Sequence, residues 1–558
     1  MYLLLLYLPL ISSFIIILFG YKIGIKGSEK IIIFMIIFLN ILYFFIFNEI
    51  FFNNLIINIS LINWIIIDIG LIYDKISIII IGLIIIIYSI VMNYSLWYMN
   101  EEENKIRFIG YLTFFTFTML LLVLSNSLFM IIIGWEGVGI SSYLLINYWY
   151  NIIEANKSGI KAIIYNKVGD IILIIGIITT ITIKNYNFEL SNYIVDYSFF
   201  NNIIIFSIIL ASMAKSAQFL FDSWLGDAMM GPTPVSALLH AATMVTAGIY
   251  LIIRIMGNYE FDQSLYIFGL LIGLFTIILG GFIALFQNDM KKIIAYSTCS
   301  QLGYMYYSLF LDLFNSSYFH LFIHGFFKCL LFLSAGIIIH SFNNNQDLRK
   351  LPSLIFNFPF SYFFFLFSTF SIISFPFYSS FYSKEFILEF SYFNSILIYS
   401  LSLFGALLTI SYSFKLFFNL FFNPLSFWYK PNNFDILFFS FFLLLIPAIS
   451  FGYFFFNNFL FLSTINNPMI YNDLHHIPLY IRLLPLILII IGGIIGYKFN
   501  NIINNNIYIY IKYIIPIYSI FNKRFHFEYI YNKLIYPLFI NPLYKFIDNG
   551  YLNPYFKI

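Results

Sequence analysis

The chain has 558 residues, 61% of them hydrophobic and only 9% charged, with a formal net charge of +3. Soluble domains carry roughly 25% charged residues, so the composition excludes an ordinary globular protein, and the weak charge argues against nucleic acid or an acidic partner. The two cysteines, Cys299 and Cys329, lie in apolar runs without CxxC spacing, which excludes a disulfide framework and cysteine-ligated zinc or iron–sulfur clusters.

A membrane span needs roughly 20 apolar residues. The apolar runs predict about fifteen helices, near 2–20, 31–52, 76–99, 108–125, 127–147, 162–183, 203–221, 232–256, 265–287, 293–311, 318–340, 360–390 (broken at Pro376), 394–422, 434–457 and 478–497. MYLLLLYLPLISS lacks a basic start and a small-residue cleavage site, so the first helix is expected to be retained. Loops after odd-numbered helices carry Lys22, Lys26, Lys30, Lys105, Arg107, Lys157, Lys161, Lys291, Lys292, Arg349, Lys350, Lys430 and Lys498. The other side carries only Lys75, Lys184, Arg254 and Arg482. The positive-inside rule then puts the N-terminus outside and the C-terminal tail inside. Beyond residue 500 the pattern turns to Tyr, Phe and Lys around short apolar runs, which suits a tail along the inner surface. The 72 Phe and 45 Tyr, with abundant Ile and Asn, have AT-rich codons and point to an organelle genome.

The polar residues inside these spans carry the chemistry. Lys215 follows the apolar run NIIIFSIILASMA, with Asp222, Asp227, Pro232, Pro234 and His240 close behind. A lysine in hydrocarbon costs about 2.5–3.5 kcal/mol. Two readings are open: a lysine that snorkels to the interface, or a broken helix whose backbone and buried amine serve an ion path. Glu136 sits in GWEGVG beside residues small enough for close helix approach. It is either a structural acid satisfied by Ser141, Ser142 or backbone, or the partner of Lys215.

The next helix opens with EANKSGIKAIIYNKVGD. Lys157 and Lys161 read as a solvated end. Lys167 and Asp170, spaced i, i+3, form a candidate intrahelical pair, structural first and a proton donor second. His320, His324 and Lys328 recur every four residues, so they stack on one helix face over about 12 Å. Each histidine alone reads as a satisfied core residue; the set reads as a proton-exchanging stripe. SFPFYSSFYSKEF breaks a later helix at Pro376, and Lys384–Glu385 follow as buried charges or as a plain helix end. Lys415 in SYSFKLFF is a further candidate. Glu136, Lys215, His240, His320, His324, Lys328 and Lys384 thus make up an expected lateral row of proton-transferring groups, supported by Lys167, Asp170, Asp222, Glu385 and Lys415. No phosphate-binding or dinucleotide fingerprint is present.

AKSAQ at 214–218, GPTPVSALLHAATMVTAG at 231–248, GWEGVGISSYLLI at 134–146, QNDMKKIIAYSTCSQLGYM at 287–305, HGFFKCLLFLSAG at 324–336 and FYSKEFILE at 381–389 resemble the antiporter-like chains of respiratory complex I, chain 5 above all. The resemblance implies an all-α polytopic membrane protein with two inverted five-helix repeats, each holding a broken helix. Its expected divisions are N-terminal helices at 1–105, repeats at 106–256 and 257–425, C-terminal helices at 426–500 and a lateral tail at 501–558. It implies Glu136 and Lys215 as a coupling pair, Lys328 as the central proton site, Lys384 at the far end and bridging roles for the three histidines. Asp222–Gly226 replaces the family's His-Thr-Trp-Leu-Pro, Met230 replaces its Glu, and Lys167 its Arg, changes that bear on local proton entry. The chain stops at Ile558, so a separate subunit is expected to supply the family's long surface helix and last span.

The expected function is a distal proton-translocating subunit of complex I in the mitochondrial inner membrane, with its N-terminus on the intermembrane-space side and its C-terminus on the matrix side. No cofactor is expected in this chain. NAD, FMN, iron–sulfur clusters and quinone are expected in partner subunits, with the neighbouring antiporter-like subunit and lipids as contacts. The alternatives are a subunit of a multi-subunit cation/proton antiporter and a structural scaffold without transport.

Overall fold

The computed structural model describes residues 1–64, 67–183, 199–256, 261–422, 435–460, 477–504 and 518–526, with 529 and 533. Residues Met1–Asn501 form one compact unit and Ile502–Ile558 another. Helix occupies every one of the predicted apolar runs: α1 Tyr2–Ile23, α2 Ile25–Phe47, α3 Lys75–Tyr98, α4 Lys105–Leu124, α5 Leu128–Ile146, α6 Ile153–Ile183 and α7 Phe199–Lys215. There follow α8 Ser223–Asp227, α9 Thr233–Ala241, α10 Met244–Met256, α11 Gln263–Phe286, α12 Met290–Leu309 and α13 Phe314–Ser341. The last are α14 Pro359–Ile373, α15 Ser379–Asn394, α16 Ile396–Phe421, α17 Asp435–Leu460 and α18 Leu479–Asn504. Among the described residues, 12 helical segments are long and apolar enough to cross a membrane. The remaining predicted spans fall short for physical reasons: α7 is brief, α12 is rich in polar side chains, and α14–α15 is broken. The chain is an all-α polytopic membrane protein.

The departure from helix is a hairpin, β1 Ile57–Trp64 paired antiparallel with β2 Ile67–Tyr73, in the register Ile57↔Tyr73. Asn126, between α4 and α5, accepts from Gly70 N at 2.9 Å and donates its own N–H to Gly70 O at 3.2 Å. The hairpin leads into Asp74, which caps α3 in a reciprocal box with Ser77.

Helix breaks differ in detail from the expectation. Pro232 and Pro234 do not interrupt a helix; they open α9, where a missing N–H is harmless. The span breaks instead at Ala242–Thr243, and Thr243 Oγ1 donates to the Leu238 carbonyl at 2.7 Å. The second break falls between α14 and α15, around Pro376, with Ser374 and Phe377 at positive φ of 66 and 72. The centre of the fold is α12 and α13, whose side chains are almost all buried. The outer helices expose large apolar side chains such as Leu18, Phe34, Tyr453 and Ile490, as a lipid-facing surface requires. The expected inner-surface tail, 501–558, lies for the most part outside the described residues.

Candidate functional site

The first cluster joins α5, α6 and α7. Lys215 ends α7 with 1% of its surface exposed, so it does not snorkel. Its ammonium donates to the Trp135 carbonyl at 3.2 Å and lies 5.3 Å from the Trp135 ring centroid. Its nearest acid is Asp170, at 3.9 Å, not Glu136. Glu136 accepts from Lys167, and Lys167 lies 3.8 Å from Asp170 across i, i+3 of α6. The expected direct Glu136–Lys215 pair is therefore replaced by an alternating series, Glu136–Lys167–Asp170–Lys215. The series passes from half-exposed Glu136 and Lys167 to wholly buried Lys215. Ser141 and Ser142 donate to backbone carbonyls of their own helix and so do not satisfy Glu136. Lys157 is exposed, as a solvated helix end should be, whereas Lys161 pairs with Asp227 at 2.6 Å.

The second cluster lies on α13. His320, His324 and Lys328 are fully buried on one face. Lys328 donates to Ser297 of α12. His324 Nδ1 reaches the Ala241 carbonyl at 3.1 Å, a group released by the break between α9 and α10. His320 lies between Ser383 of α15, 2.8 Å from Nδ1, and Gln301 of α12, 3.1 Å from Nε2. His240 of α9 is within electrostatic reach of Lys328, yet neither of its nitrogens has a hydrogen-bond partner among the described residues. Its ring packs between Trp224 and Phe332.

The third cluster is on α15. Lys384 is 1% exposed, donates to Thr409 Oγ1 at 2.9 Å and lies 5.1 Å from the Tyr304 ring centroid. It is no surface helix end. Glu385 beside it is buried, with Oε1 unpartnered among the described residues. Both line a cavity of about 10 Å³, room for one water, together with Ser374 and Pro485. Lys384 reaches His320 and Lys328 electrostatically, which links the second and third clusters.

Some candidates lie off this row. Lys415 donates to the carbonyls of Leu285 and Gln287, both at 2.7 Å, and so caps α11. Asp222 stands partly buried at the start of α8. Two lysines assigned to loops are buried: Lys291 donates to the Gly231 carbonyl at 3.0 Å, and Lys105 pairs with Glu29 at 2.6 Å. The loop cations Lys22, Lys26, Lys30, Lys157, Arg349 and Lys350 are exposed. Gln301, Ser383, Ser297 and Thr409, which hold the buried bases, carry no charge and gave no signal of their own in the sequence.

Residues 125–409 match the family described as NADH:quinone oxidoreductase/Mrp antiporter, TM, and residues 60–109 match NADH-ubiquinone oxidoreductase (complex I), chain 5 N-terminus. NADH-ubiquinone oxidoreductase chain 5 of Trichophyton rubrum is 39% identical, over 96% of this chain and 86% of that protein. The chain 5 protein of Rhizopus stolonifer is 37% identical over 99% and 88%. That of Dictyostelium discoideum is 41% identical over 77% and 68%. Among solved structures, the Mrp complex of a Dietzia species superposes with a TM-score of 0.76 at 22% identity, over 90% of this chain and 57% of that one. An archaeal membrane-bound sulfane sulfur reductase gives 0.75 at 18% identity, over 85% and 96%. Likeness at that identity establishes the shared fold. The near-full-length identity to the curated relatives goes further: the chain belongs to the NADH-ubiquinone oxidoreductase chain 5 family.

Proposed function

We propose that this chain is a proton-translocating membrane subunit of NADH:ubiquinone oxidoreductase. The observation that carries the reading is the run of acids and bases spread over α5, α6, α7, α9, α13 and α15, from half-exposed Glu136 and Lys167 through buried Asp170 and Lys215, then His240, His324, Lys328 and His320, to Lys384. Groups of this kind are expensive at membrane depth and face one another or water, not lipid. Each acid favours the charged form of its neighbouring lysine, and burial opposes that charge. Moving one countercharge therefore changes how firmly the next base holds its proton.

In this reading, a disturbance at Glu136–Lys167 draws Asp170 away from Lys215, and Lys215 releases its proton towards the α13 bases. Lys328 and then Lys384 take up and release protons in turn. Redox chemistry, with NAD, FMN, iron–sulfur clusters and quinone, belongs to partner subunits. The half-exposed Glu136–Lys167 pair suits a neighbouring antiporter-like subunit that covers it. The setting is the mitochondrial inner membrane, N-terminus outward, in keeping with the exposed cations on one side. The test is the ratio of protons pumped per NADH oxidised by complex carrying Lys215→Met or Lys328→Met. The ratio should fall in both; an unchanged ratio in either would remove this role.

A further inference from the structure

The row passes three histidines, and their ring nitrogens are not held alike. His324 Nδ1 faces a carbonyl, which only accepts, so Nδ1 keeps its proton and Nε2 is the nitrogen left to exchange. His240 has a partner on neither nitrogen among the described residues. His320 has one on each, and the two differ in kind.

Gln301 presents its carbonyl oxygen to Nε2 at 3.1 Å. An amide oxygen only accepts, so Nε2 carries a proton whether the ring is neutral or charged. The polar neighbour of that amide is the Tyr412 hydroxyl, itself 3.1 Å from Ser300. Ser383 presents to Nδ1 a hydroxyl that both donates and accepts. That hydroxyl has a second acceptor, the Ser380 carbonyl, at 3.2 Å. With the ring neutral, the Ser383 hydrogen points to Nδ1. With the ring protonated, Nδ1–H donates to Ser383 Oγ, and the Ser383 hydrogen turns to Ser380. The ring N–H groups and the Ser383 hydroxyl then have an acceptor in both states and no heavy atom moves, while the Gln301 amide N–H groups, buried without an acceptor among the described residues, are the same in both. Burial penalises any polar group left unpaired, and this frame leaves none on the ring in either state.

We propose that Gln301 and Ser383 are positioning residues that make His320 the charge-holding station between Lys328 and Lys384. The transferred proton binds Nδ1 and leaves from Nδ1, while Nε2–H stays on Gln301. On uptake a lysine ammonium becomes a neutral amine and His320 becomes an imidazolium, so charge and protons balance. On release the imidazolium returns to the neutral ring and the next lysine becomes the ammonium. This inference rests on the proton-translocating reading above.

The experiment uses whole complex in sealed vesicles and follows NADH-driven proton pumping. Ser383→Ala should slow pumping about tenfold, the worth of one hydrogen bond to a charged group. Ser383→Thr, which keeps a hydroxyl, should restore most of it. Gln301→Met, on another helix, should match Ser383→Ala. Wild-type pumping by Ser383→Ala, or equal impairment of the Ala and Thr variants, overturns the proposal. Failure of both Ser383→Ala and Gln301→Met to assemble assigns these side chains to folding and overturns it too. A silent Lys328→Met variant would instead strike at the underlying function, so the two failures are distinguishable.

Discussion

Two glycines of α5 make room for different neighbours, Gly139 for Lys215 and Gly134 for α4. A Cβ on Gly139 would lie 3.2 Å from the Lys215 ammonium, the far end of a flexible side chain. A Cβ on Gly134 would meet the backbone N and Cα of Leu122 in α4 at 2.7 Å, which nothing flexible can relieve. Gly134→Ala should therefore push α4 from α5 and destabilise the chain by about 1–3 kcal/mol, seen as a lower unfolding temperature of the complex. Gly139→Ala should leave that temperature unchanged and reduce proton pumping, because it shifts Lys215 against Asp170. The opposite pattern would remove Gly139 from the site. Charge at depth was plain from the sequence, since Lys215, Lys328 and Lys384 interrupt apolar runs. Which acid meets which base was not, because helix periodicity assigns faces but not neighbours. Lys167 thus stood outside the expected Glu136–Lys215 pair and proves to be what separates them. Lys291 and Lys105 border loops in sequence but turn inward to carbonyls and an acid, which no spacing rule reveals.

Among the elements, α3 and α10 are tied at their ends by an ion pair. Arg254 of α10 donates to both oxygens of Asp74, at 2.5 and 2.9 Å, and to the Tyr250 hydroxyl at 2.7 Å. Tyr250 in turn donates to the Val123 carbonyl of α4 at 2.6 Å. Arg254→Leu leaves a carboxylate stranded and should cost about 3–5 kcal/mol, read as thermal unfolding or failed assembly. Burial pushes the Asp74 carboxyl up, but the Arg254 charge and the bonds from Arg254 and Ser77 outweigh it, holding the carboxyl below its ordinary range. A lowered folded-state value means the contribution is complete above the unfolded value of about 3.9 and is lost as pH falls through the folded one. Acid should therefore destabilise wild type more steeply than Asp74→Asn below about pH 4; parallel acid curves would show that the pair contributes nothing. Helices were legible because apolar runs of membrane length have few other uses. The break at Ala242–Thr243 was not, since neither residue is a helix breaker and tertiary contacts set it. The hairpin of Ile57–Trp64 and Ile67–Tyr73 was missed: both stretches fall between the spans predicted near 31–52 and 76–99, and a search for apolar runs of membrane length assigns them nothing.

Across the whole molecule, the row divides into one stretch tied by ion pairs and another tied by hydrogen bonds. From Glu136 to Lys215 each charge has a charged neighbour within 4 Å. From His324 to Lys384 the bases rest on Ala241, Ser297, Gln301, Ser383 and Thr409. Between the stretches stands the Trp224 indole, which donates to the Ala214 carbonyl at 3.1 Å and stacks on His240. An indole passes no proton along its face, so transfer there needs water. His240, with two buried nitrogens that no group among the described residues satisfies, is the place for it. A density map of the complex that resolves solvent should show an ordered water within hydrogen-bond distance of His240. His240→Leu should expel that water and slow pumping while leaving Lys328 and its Ser297 contact in place. Dry packing around His240 on both sides would cut the row at Trp224, and Lys215 and Lys328 would then have to act as separate sites rather than as one path.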